Sequence, residues 1–229
     1  MDKVFLGFAF RPEDRDLAGY VEDLLASHDI RMITGEHLGG NQLTDAVKAQ
    51  IDKVDALVAL LTRREQFASG GWATHQWVLD EISYARGRNI PAIAIVEDGV
   101  KLEGAYVQHE YIPFDRSQPL PTFLKLSQTI HTWRQEIGDT AIVQIQPEDA
   151  AEFAAQYAES LTCQYRFFHD GDYSEWKEAK VAEAPGGTLI YIKGVKPNCS
   201  VQVTMSNQQT IWQSKVEPQW VRVYLAQRR

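Results

Sequence analysis

The sequence predicts an α/β fold: a parallel sheet covered by helices over residues 1–142, then a small, mostly antiparallel β domain over residues 143–229. Three observations carry this expectation. Short apolar runs alternate with helix-period stripes up to about residue 140, the pattern of strands and helices taken in turn. Beyond about residue 145 the rhythm changes to short runs rich in β-branched and aromatic residues, separated by turn signals. With 229 residues, 44% hydrophobic and 24% charged, the chain has the composition of a globular protein and the length of one or two domains.

The elements follow in order. Residues 4–10 form an apolar run that reads as a buried strand. Residues 14–27 place Leu17, Ala18, Val21, Leu24 and Leu25 on one helical stripe. Residues 30–33 read as a short second strand. Gly35, Gly39 and Gly40 mark a loop over residues 35–42, flexible enough to bend over a ligand but without the Walker pattern. Thr44 or Asn41 can cap a helix over residues 45–53, with Ala46, Val47 and Ile51 on one face. Residues 56–61 are continuously apolar, as a central parallel strand requires. Residues 72–86 are helical in pattern, and residues 90–96 are the fourth strand. Pro113-Phe114 is expected to break the next segment before a helix over about 119–137. Ligands of such sheets bind beyond the carboxyl ends of the strands. The loops after Phe10, Ile33, Leu61 and Val96 are therefore the ones to watch.

The second region opens with a helix over residues 147–160. Strand-like runs follow at residues 162–168, 173–181, 188–195, 200–205, 210–216 and 220–225. Trp176, Trp212 and Trp220 alternate there with polar residues. They read either as sheet core or as an exposed aromatic face that binds a partner chain or another ligand.

The net charge of -8 argues against a polyanionic partner. The first 142 residues hold 14 basic and 21 acidic side chains, and no basic stripe appears. Binding to nucleic acid is not expected, although a local Arg can still hold a small anion. Cys163 and Cys199 read as buried thiols, with a disulfide as the other reading. The start of the chain lacks a signal-peptide pattern, and no apolar run approaches the roughly 20 residues that span a bilayer. A cytoplasmic protein without membrane contact is expected.

Chemistry is concentrated in the stretch from Gly70 to Ile82. In a helix, Trp77 and Glu81 stand four apart on one face, toward the carboxyl edge of the sheet. An indole beside a carboxylate can shield it from water and wall a slot for a flat ligand. Equally, Trp77 can be core and Glu81 a solvated helix residue. His75, just before Trp77, can adjust a pH response or be structural. His37, His109, His131 and His169 show no metal-ligand spacing, and no serine-hydrolase or zinc-protease pattern is present. No metal and no bound cofactor are expected.

At these residues the chain resembles TIR domains. Trp77-x-x-x-Glu81-Ile82, then Ala85 and Arg88-Asn89-Ile90-Pro91, is similar to the TIR succession of a Trp, a Glu four residues later and a basic–apolar–Pro strand. Val4-Phe5-Leu6-Gly7-Phe8-Ala9 resembles the TIR opening Val-Phe-Ile-Ser-Tyr-Ser, Asp14 its following acidic residue, and His28-Asp29-Ile30 its turn before the second strand. The resemblance spans residues 1 to about 135. Residues 96–100 and 111–115 are also similar to TIR proteins of bacterial antiphage systems of the Thoeris kind. It implies a flavodoxin-like sheet and cleavage of the nicotinamide–ribose bond of NAD+, which is substrate rather than cofactor. An ADP-ribose-derived signal, linear or cyclic, would result. Glu81 would be the catalytic carboxylate. Trp77 would line the nicotinamide side, with Phe8 at the first strand end, Arg11 beside a phosphate and Glu36 at the ribose. The resemblance further implies homo-oligomers through TIR–TIR contacts, a phage-derived trigger and a downstream effector. Gly7 and Ala9 stand where the family has hydroxyl residues, and Gly35 where many members are acidic. These differences leave a non-catalytic TIR adaptor as a second expectation. A nucleoside-deoxyribosyltransferase-like enzyme, with a similar sheet and a carboxylate at a ribosyl carbon, is a third.

Overall fold

The apolar runs of the first region form strands β1 (Lys3–Gly7), β2 (Arg31–Ile33), β3 (Ala56–Leu61) and β4 (Ala92–Glu97), and a fifth, β5, spans Tyr111–Phe114. The computed structural model describes residues 1–36, 43–102, 104–196, 199–207, 209–217 and 222–228. The five strands pair in parallel in the order β2-β1-β3-β4-β5. Every residue of β3 is buried, as a central strand covered on both faces must be.

Alternation along the strands divides the core into two layers. Phe5, Leu57, Ala59, Leu61, Ala94 and Val96 pack with Val47 and Ile51 of helix α2 (Asp45–Ile51) and with Val78, Ile82 and Ala85 of α3 (Gln76–Gly87). The alternate residues Val4, Leu6, Val58, Leu60, Ile93 and Ile95 are also buried. They face helices α1 (Pro12–Ser27) and α4 (Leu120–Ile137), which meet through the Tyr20 and Phe123 rings and a 3.1 Å contact between His28 Nε2 and Ser127 Oγ. Pro12 starts α1 with a preset φ and no lost N–H. Thr44 caps α2, its hydroxyl accepting from the Val47 N–H at 3.3 Å. The other candidate cap, Asn41, lies outside the described residues, as do His37, Gly39 and Gly40.

Three expectations are corrected. Strand β1 ends at Gly7, because the chain folds back so that the Arg11 N–H donates to Ala9 O at 2.8 Å. Pro113-Phe114 lies inside β5 rather than breaking the chain. Strand β5 is the outer strand, where a residue without an N–H is tolerated. Helix α3 begins at Gln76 because the preceding residues pair with each other instead: Arg64 with Ala73, Glu65 with Ala73 and Phe67 with Gly71. Trp72 then ties this excursion to the loop after β4, donating to Gly99 O and accepting from Lys101 N, each at 2.9 Å.

The chain separates into two compact units, Met1–Arg134 and Gln135–Arg229. The second contains helix α5 (Glu148–Gln156) and strands β6 (Asp139–Gln146), β7 (Thr162–His169), β8 (Asp172–Tyr173), β9 (Lys177–Glu178), β10 (Lys180–Ala184), β11 (Gly187–Val195), β12 (Ser200–Ser206), β13 (Ile211–Ser214) and β14 (Arg222–Gln227). Among the described residues they form a nine-stranded sheet in the order β10-β11-β6-β14-β13-β12-β7-β8, with β9 beside β7. Strand β6 runs through residue 142, where the sequence divides the chain, and its pairing with β14 is parallel within an otherwise antiparallel sheet. Val143, Ile145, Ile190, Ile192, Val201, Val203, Val223 and Leu225 pack with Ala150 and Ala154 of α5. Cys163 and Cys199 are free and buried, and burial pushes the Cys163 thiol up to about 12. Trp212 packs against this core, while Trp176 and Tyr173 flank the Arg166 guanidinium at 4.5 and 3.8 Å. Trp220 lies outside the described residues. Among the described residues no helix is long and apolar enough to cross a membrane.

Candidate active site

Glu81 lies in the second turn of α3, one turn after Trp77. Its carboxyl group reaches across the end of β1. A Cβ placed on Gly7 would collide with Glu81 Oε2 and lie 3.5 Å from its Cδ; one placed on Gly35 would lie 3.7 Å from Oε1. Among the described residues no N–H or O–H donates to this carboxyl group. Burial, with the neighbouring Asp80 charge second, raises its pKa to about 8. An opposite charge brought beside such a group favours its ionised form.

A chain of rings includes Trp77, one helical turn before Glu81 on α3. Phe8 meets Phe10 edge-on at 4.8 Å, Phe10 meets Trp77 at 5.6 Å, and His75 stacks on Trp77 at 5.3 Å. Phe8, His75 and Trp77 are therefore brought together as expected. Phe10, the link between them, is missed by the sequence reading, which places it in a strand. Its signal was the spacing of two from Phe8.

Polar atoms here lack partners. Among the described residues, Thr74 Oγ1, His75 Nε2 and Trp77 Nε1 are buried without a hydrogen bond. Arg64 Nη1 lies 2.9 Å from His75 Nδ1. A guanidinium only donates, so Nδ1 accepts and the imidazole proton sits on Nε2. Desolvation first, then the charges of Arg64 and Arg11, lower the His75 pKa. His75 is accordingly a neutral ring with its N–H directed inward.

Arg11 and Glu36 do not join this group. Arg11 donates from Nε and Nη2 to Asp14 Oδ2 at 3.1 and 3.0 Å, and from Nη2 to Arg63 O at 2.9 Å. Its Nη1 pairs with Glu13 at 3.3 Å. Glu36 pairs with Arg15. The fully buried Asp14 also accepts from Thr62 Oγ1 and from Arg116 Nη2, each at 3.1 Å. Arg116 in turn donates to the buried Glu97 at 2.6 Å from Nε and 3.2 Å from Nη2. These charges lock the loops after β1, β3, β4 and β5 to one another. Thr62, Glu97 and Arg116 are missed by the sequence reading, because the partners lie as far as 102 residues from Asp14.

A separate cleft of about 440 Å³ lies along β4 and β5, lined by Glu97, Asp98, Tyr111 and Gln118 among others, and contains none of the expected site residues. Among the described residues no group of three or more His, Cys, Asp or Glu side chains is arranged to hold a metal ion.

No family model and no curated protein matches the chain. Among solved structures, a putative diacylglycerol kinase from Bacillus anthracis str. Sterne is 10% identical, with 93% of this chain and 86% of that one covered and a TM-score of 0.29. A diacylglycerol kinase from the same source is 9% identical, with coverages of 99% and 92% and a TM-score of 0.30. The chain is a mixed α/β protein with a five-stranded parallel sheet and a largely antiparallel second sheet.

Proposed function

We propose that the first unit is a TIR-like, flavodoxin-like domain that cleaves the nicotinamide–ribose bond of NAD+. One observation carries the reading: Glu81 presents a shielded carboxyl group without a hydrogen-bond partner, beside an indole at the carboxyl edge of a parallel sheet. The strand order 2-1-3-4-5 supports it, since ligands of that arrangement bind at this edge near the order reversal.

NAD+ carries a pyridinium cation, which lies against Trp77 and Phe10 and draws the proton off Glu81. Departure of neutral nicotinamide leaves positive charge at the ribosyl carbon, and the now ionised Glu81 stabilises it. Attack by water, which gives up a proton to the ionised Glu81, yields ADP-ribose, and attack by a nitrogen of the adenine gives a cyclic product. Neutral nucleosides lack the cation that ionises Glu81, which places a deoxyribosyltransferase-like reaction second. In this reading the product is a signal in antiphage immunity, made by homo-oligomers in answer to a phage-derived trigger and read by a downstream effector.

The test is nicotinamide release from NAD+ by the full chain and by Glu81→Gln, with and without phage lysate. Wild type is expected to release nicotinamide, and Glu81→Gln to fall by on the order of 100-fold or more. Equal rates for the two proteins with lysate present would overturn the proposal.

A further inference from the structure

We infer that Gly7 is a positioning residue for Glu81: the space left by its missing Cβ is the seat on which the Glu81 carboxyl group lies. For its role in turnover this rests on the proposed reaction; for the seat itself it rests on geometry alone.

A glycine inside a strand weakens it, since it adds backbone entropy and packs nothing. Gly7 closes β1 and pairs with Ala59 in the parallel ladder, so it carries that cost. Its backbone gives no reason for glycine, because it is not among the residues with positive φ. The reason is space. A Cβ at Gly7 would overlap Glu81 Oε2 and sit 3.4 Å from Val78 Cγ1. The collision is with the far end of a flexible side chain rather than with backbone. Adding a methyl group therefore leaves the strand in place and swings the carboxyl group outward, toward water and away from the ring wall.

Gly35 provides the contrast. A Cβ there would meet Val47 Cγ2, Phe5 Cζ and Glu81 Oε1 at 3.4, 3.6 and 3.7 Å, all ordinary contact distances. An alanine at residue 35 fits, and it covers Oε1 further instead of displacing the carboxyl group. The same substitution at two glycines that border one carboxyl group should thus have different effects on it.

The experiment compares wild type, Gly7→Ala and Gly35→Ala as full chains. The Glu81 carboxyl titration is followed by carbon NMR and assigned by its loss in Glu81→Gln, and NAD+ turnover is measured alongside. The Gly7→Ala midpoint is expected to fall from about 8 toward the ordinary 4.5, while Gly35→Ala stays at or above wild type. Turnover by Gly7→Ala is expected to lose roughly 10- to 100-fold in kcat with little change in KM, the mark of a displaced reacting group. An unchanged midpoint in Gly7→Ala overturns the proposal. Equal falls in both variants also overturn it, since general loosening would then be the cause. If the midpoint moves but wild type shows no NAD+ cleavage, the seat stands and the proposed reaction is what fails.

Discussion

A carboxyl group moved out of water favours its protonated form, and Glu81 makes that cost depend on pH. Its folded pKa of about 8 lies above the ordinary 4.5. Below pH 4.5 the group is protonated in folded and unfolded chains alike and costs nothing. As pH rises from 4.5 to 8 the unfolded chain loses the proton first, so stability falls; above 8 the full penalty is present. Glu81→Gln is therefore expected to be more stable than wild type at pH 9, by on the order of a few kcal/mol, with the two converging below about pH 4.5. Urea denaturation across that range measures the gap, and a gap independent of pH would contradict the burial of this charge. A second consequence concerns the ligand. Under the proposed function, binding of NAD+ at pH 7 should expel a proton, seen in titration calorimetry as a heat that varies with the ionisation enthalpy of the buffer. Sequence spacing set Trp77 and Glu81 one helical turn apart on α3. It could not reveal Gly7, whose contribution is an empty volume that exists only once α3 crosses β1. Read along the chain, Gly7 looks like a lost hydroxyl.

Helices and strands were legible where their signal is periodic and local. Strand β3 and helices α1 and α4 follow from apolar pattern, and the hydroxyl of Thr44 marks the start of α2. Thr44→Ala is expected to lower stability by about 1 kcal/mol. The elements misjudged were those decided by neighbours. Pro113 suits β5 because, among the described residues, nothing is paired on its far side, and β6 straddles a change of composition. Charge pairing was the least legible feature. Asp14 resembles a surface residue at the start of a helix, yet it is fully buried between Arg11 and Arg116. Removing one member of a buried ion cluster strands the others without compensation. Asp14→Ala is expected to cost about 3–5 kcal/mol, read from the midpoint of denaturation, and to loosen the loops that Arg116 ties together.

Across the whole chain, the change of rhythm near residue 145 announced a second architecture, and the structure supplies it with a core of its own. The two packed cores share no residue. Ile192→Ala, in the second core, is expected to cost about 2–5 kcal/mol, read from the midpoint of urea denaturation. The outer strands of the parallel sheet have one more consequence, for growth. Strand β2 has only three residues, and β5 has four, one of them a proline without an N–H to offer. Neither rim is a template on which another molecule's strand can extend the ladder. Growth by adding another molecule's strand at these rims is thereby discouraged.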